Sequence, residues 1–205
     1  MVGGRVGALV AVVALLAGGA ACGGKGGGEK IIPLADTPTT VATTAAPGST
    51  VPRLSDRDVA NRFEALLERN NGARKQVTTA VQTVSSCSDD PIFQHNALGG
   101  VIAGRRQLVD ELNNLDASPL AEGGNLKTNL IQAWQTSIAA DIHFQDWMTA
   151  VSQRGCTRNG VNSGPEWDAA NASSIQATQF KQNFATVWAQ VAPRFGLRTW
   201  AENEL

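Results

Sequence analysis

From Ser55 onward, apolar residues return every third or fourth position in four successive runs. That spacing matches the 3.6-residue turn of an α-helix with one buried stripe and does not fit a strand. The first run is Val59, Phe63, Leu66, Ala73, Val77, Ala80 and Val84. Its beat falls on Asn70 and passes undisturbed through Asn71-Gly72, so the spacing predicts one long helix over about 56–86, capped by Ser55 or Asp56. The second helix, about 91–115, begins after Asp89-Asp90-Pro91, with proline tolerated in the first turn. It carries Leu98, Val101, Leu108, Leu112 and Leu115, with Arg105 on the beat, while Gly99, Gly100 and Gly104 allow close approach of a neighbour. Pro119 and Gly123-Gly124 mark the turn that ends it.

The third helix, about 125–154, has the densest stripe, including Leu130, Trp134, Ser137, Asp141, Phe144, Trp147 and Val151. Arg154-Gly155 closes it, a basic residue and then glycine. Ser163-Gly164-Pro165-Glu166 announces the fourth with a Ser-x-x-Glu capping box. That helix carries Ala170, Ser174, Ala177, then Phe180 or Lys181, then Phe184, Val187, Trp188 and Val191, and Pro193 is expected to end or kink it. No segment alternates as a half-buried strand does. The fold class is therefore all-α, and four helices with short connections predict an antiparallel up-down-up-down four-helix bundle over 54–205.

The first 53 residues follow a different logic. Arg5, an apolar run from Val6 to Ala17 and the small residues Gly18 to Ala21 read as an export signal over 1–21. Cys22 stands where a bacterial lipoprotein takes its diacylglyceryl group, although Gly19 replaces the aliphatic residue usual three positions earlier. Ordinary secretion and an uncleaved anchor are the alternatives. Removing residues 1–21 takes away Arg5 and leaves 16 basic against 18 acidic side chains, so no basic surface draws the chain to an anionic bilayer and lipid must hold it there. Residues 22–53, rich in Gly, Thr, Pro and Ala, cannot bury enough apolar surface to order themselves. They read as a disordered stalk spanning on the order of 30 Å, either O-glycosylated at its threonines or a plain polar spacer. The expected location is the outer face of the cytoplasmic membrane, with the membrane itself and an envelope protein as partners.

With Cys22 lipidated, Cys87 and Cys156 remain, an even pair in an oxidising compartment. They follow the first and third helices, whose ends share a pole in an alternating bundle, so a disulfide is expected there; two free thiols are the alternative. Ala133-Trp134-x-x-Ser137-x-x-Ala140-Asp141-x-x-Phe144-x-x-Trp147, followed by Gly155-Cys156, resembles a helical domain of exported actinobacterial lipoproteins of uncharacterised role. Cys87 after Ala80-Val81-x-x-Val84, and Phe195-Gly196-Leu197, are similar too. The resemblance covers about 54–205. It implies an envelope protein and brings no activity or site residues with it.

Polar residues interrupt the stripes at matching heights: Asn70, Arg105, Ser137 and Asp141, with Ser174, Thr178 or Lys181 as the fourth helix's contribution. An Arg105–Asp141 ion pair is expected, with Asn70 and Ser137 filling the remaining hydrogen-bond capacity. Such a layer either fixes helix register, or lines a small ligand pocket, or faces solvent. A formal net charge of −1 removes the electrostatic basis for nucleic-acid binding. No catalytic residues, metal ligands or cofactor are expected: there is no Gly-x-Ser-x-Gly elbow and no phosphate-binding loop, and neither His95 nor His143 has a glutamate three residues before it. Trp134, Trp147 and Trp188 belong to stripes, whereas Trp167 and Trp200 sit at ends, either packed loosely there or exposed as a partner surface. The expected role is a non-catalytic binding or interaction module; the alternative is a small-molecule sensor or carrier using the central polar residues.

Overall fold

The computed structural model describes residues 53–205. The export signal, Cys22 and the linker up to residue 52 lie outside them. Four helices follow one another, α1 (Asp56–Ser85), α2 (Pro91–Asn114), α3 (Gly123–Arg154) and α4 (Pro165–Val191), then two short 3-10 segments, Ala192–Phe195 and Glu202–Glu204. No strand occurs among the described residues. No helix among them is long and apolar enough to cross a membrane.

Capping side chains close the starts of α1 and α2, while α3 and α4 begin without one. The Ser55 side chain accepts from the Asp58 N–H at 3.1 Å, and the Asp58 carboxylate accepts from the Ser55 N–H at 3.1 Å, closing a capping box on α1. Asp90 caps α2 by accepting from the Ile92 N–H at 2.9 Å, with Pro91 in the first turn. The box expected at α4 does not form. Its cap is Gly164 at φ 112°, and the Ser163 hydroxyl donates to the Gly160 carbonyl at 2.5 Å instead, which removes it from the helix end. α3 starts at Gly123, two residues earlier than expected, because that glycine packs against the 115–122 turn. A Cβ on Gly123 would lie 2.1 Å from the Ala117 carbonyl oxygen, so only glycine permits the approach. Of the three α2 glycines only Gly99 has a neighbour close by, the Gln145 side chain 3.6 Å from where its Cβ would lie; a Cβ on Gly100 or Gly104 would meet nothing within 4 Å.

Apolar side chains gather in two clusters. One joins Phe63 and Leu67 of α1 to Leu112 of α2, Leu130 and Trp134 of α3, and Phe184 and Trp188 of α4. Phe184 and Trp188 stack at 5.9 Å between ring centres, and Phe63 leans on both. The second cluster joins Val84, Leu98, Trp147, Met148 and Ala170, with Trp167 packed 4.8 Å from Trp147. Each fully buried Phe or Leu in these clusters stabilises the fold by about 1.5–3 kcal/mol. A disulfide joins Cys87 to Cys156 with the Cα atoms 5.7 Å apart.

The C-terminal segment is folded back rather than loose. Trp200 is buried, donates its indole N–H to Glu64 of α1 at 3.0 Å, and lies under the Arg198 guanidinium at 4.1 Å. The Trp188 indole N–H donates to the Arg198 carbonyl at 2.8 Å, and Leu205 is buried.

Candidate functional site

Between the two apolar clusters lie the buried polar residues: Asn70 on α1, Arg105 on α2, Ser137 and Asp141 on α3, and Lys181 on α4. Each stands on the inward stripe of its helix, so the periodicity that buries leucine and tryptophan elsewhere buries these groups here. Buried charge demands compensation, since removing an ion from water costs several kcal/mol even after relaxation. Arg105 is compensated. Its guanidinium forms an ion pair and hydrogen bond with Asp141, and its Nε–H donates to the Asn70 side-chain oxygen at 3.3 Å. Burial pushes the Asp141 carboxyl above the usual range, while the neighbouring Arg105 and Lys181 charges oppose that rise.

The layer is not fully satisfied. Ser137 is buried one turn before Asp141, yet its hydroxyl has no partner among the described residues, contrary to the expectation that it completes the pair's hydrogen bonding. The Asn70 side-chain nitrogen is likewise without a partner among them. On α4 it is Lys181, not Phe180, that takes the inward position, in step with Ala177, Phe184 and Trp188. Lys181 is 5% exposed and forms no ion pair or hydrogen bond with any described residue. Burial, together with the Arg74 and Arg105 charges, pulls its ammonium down to about 7, with Asp141 opposing.

All of these groups except Asn70 border a cavity of about 250 Å³ between α1, α3 and α4. Arg105, Asp141, Ser137 and Lys181 supply its polar side, joined on α4 by Ser174 and Thr178, and Val77, Val81, Phe144, Ala140 and Ala177 supply apolar wall. Exposed Thr78 and Gln82 mark its mouth. Arg74 also faces it. Hydropathy passes it over by giving the beat to Ala73, although Arg74 stands four residues after Asn70 and three before Val77; it donates to the Leu205 backbone oxygen at 3.3 Å, and Glu202 balances part of its charge. The folded-back C-terminal segment therefore reaches one wall of the cavity through Arg74. No group of three or more metal-binding side chains exists among the described residues.

Compared with known proteins, the chain matches no family model, no curated protein and no solved structure.

Proposed function

We propose that this chain is a lipoprotein, tethered through Cys22 to the outer face of the cytoplasmic membrane and similar in its helical part to exported actinobacterial lipoproteins. Its helices alternate in direction, up-down-up-down. Contact between the middles of α1 and α2 at Asn70–Arg105, and the disulfide linking the ends of α1 and α3, support that order. In this reading the bundle is a non-catalytic binding module, and its central cavity takes a small molecule.

One observation carries the binding role: the Arg105–Asp141 pair is the floor of a cavity rather than part of a closed core. A layer that only fixed register would pack against all four helices. A pocket with apolar walls and a few convergent polar groups is the usual form of a small-molecule site, and at about 250 Å³ this one suits a small ligand. Titrating hexanol into the isotope-labelled full chain tests it. Amide shifts localised around Val77, Ala140 and Ala177, and lost when Ala177→Phe fills the space, support the reading; no localised shift with hexanol or with its charged analogues hexanoate and hexylamine overturns it.

An envelope protein as partner is the second reading. Phe93 is 65% exposed at the start of α2 beside exposed Ile92, an apolar pair that a protein surface would cover.

A further inference from the structure

We propose that the central cavity is selective for a small amphiphile with one negative charge, a monocarboxylate whose head group pairs with Lys181 and whose short alkyl part lies along Val77, Val81 and Phe144. This inference rests on the cavity being a binding site and adds the chemical class of its occupant.

The argument is a count of donors and charges. Three basic side chains border the cavity and one carboxylate does. Arg105 spends its guanidinium on Asp141 and Asn70, and Arg74 spends a donor on the Leu205 backbone oxygen. Lys181 spends nothing. Lys181 is 5% exposed, and the one carboxylate near it, Asp141, is already paired with Arg105; that excess of buried positive charge is relieved either by loss of the ammonium proton or by arrival of an anion. The groups facing it from the other helices are Arg74 on α1, Arg105 on α2 and Asp141 on α3. Two of those three repel a cationic ligand and attract an anionic one. The unpartnered Ser137 hydroxyl borders the same space and has a donor to give a carboxylate oxygen. One unspent cation matches one negative charge. Val77, Val81, Ala140, Phe144 and Ala177 give the alkyl part an apolar strip of wall to lie on.

Lys181 also makes the site sensitive to pH. With its ammonium at about 7 before binding, the anion is taken together with a proton above that pH, and affinity falls as the solution becomes more alkaline.

The test compares hexanoate, hexanol and hexylamine, equal in chain length and different in head-group charge, by calorimetry and amide shifts on the full chain at pH 6.5. Hexanoate is expected to bind at least tenfold more tightly than hexanol, and hexylammonium more weakly than hexanol. Lys181→Met is expected to abolish the preference for hexanoate while hexanol still binds. Hexanoate binding no better than hexanol overturns the inference and leaves the cavity reading standing; so does a preference that survives in Lys181→Met. Should that variant fail to fold, the comparison of the three probes on the unaltered chain decides alone. Failure of all three to shift cavity amides overturns both.

Discussion

Arg105 and Asp141 meet from the middle turns of α2 and α3, and each side chain is 3% exposed. Both are almost wholly withdrawn from bulk solvent. Removing one partner therefore leaves an uncompensated charge in the interior, whereas removing both leaves only packing to repair. Arg105→Leu and Asp141→Leu are each expected to cost about 3–5 kcal/mol, and the double variant less than either single one. Urea unfolding of the three variants checks this. Single variants as stable as the unaltered protein contradict a buried pair.

The turn after α1 offers a separate test of backbone strain. Cys87 has φ +51°, a left-handed conformation that glycine usually fills at a helix end, while the Cys87 and Ser88 N–H groups donate to Val84 and Thr83. The disulfide, across a sequence separation of 69, contributes roughly 4 kcal/mol by constraining the unfolded chain. With Cys156→Ala as background, Cys87→Gly is expected to be about 1 kcal/mol more stable than Cys87→Ala. Thermal unfolding of both decides. Equal stability contradicts the strain.

Glycine substitutions are expected to have opposite signs in α2 and α3. Gly104→Ala places its Cβ in open space within a helix and is expected to stabilise by about 0.5–1 kcal/mol. Gly123→Ala drives a Cβ into the Ala117 backbone and is expected to cost about 1–3 kcal/mol. Chemical denaturation midpoints report both. A neutral Gly123→Ala contradicts the close approach.

The proposed anchor predicts a change of location. Cys22→Ala is expected to leave an unprocessed or released protein without palmitate label, and an inhibitor of lipoprotein signal peptidase is expected to cause accumulation of the larger precursor. A mature product of unchanged size under inhibition contradicts lipid attachment.

How much of this was legible in the residues differs from place to place. The four helices were, because a three-and-four beat of apolar residues has few other solutions and Ser55, Asp90 and Gly155 punctuate it. The α4 cap was misread, since a hydroxyl three residues before a glutamate also suits the loop carbonyl that Ser163 found. Hydropathy favoured Phe180 where helical phase places Lys181 inside, so the sequence left that choice open. Arg74 shares the phase of Asn70 and Val77 but hydropathy favoured the apolar Ala73 beside it, whereas its bond to Leu205 and the return of Trp200 to Glu64 carried no periodic signal, because both depend on where the C-terminal segment lies in space. The expected hydrogen bond from Ser137 failed for a related reason: sharing a helix face with Asp141 brings a hydroxyl near, but the side-chain direction decides whether it bonds.

Lys181 carries the account's central claim, and its titration is directly measurable. A lysine that loses its proton at about 7 when folded, against an ordinary value of 10.5, leaves the unfolded chain binding more protons between those values, so stability rises with pH across that window. Following the Lys181 side-chain carbon next to the ammonium by NMR, with Lys181→Met to assign the signal, is expected to show a midpoint near 7 that moves upward when hexanoate is added. A midpoint at the ordinary lysine value, unmoved by hexanoate, contradicts a buried, unpaired cation waiting for an anion.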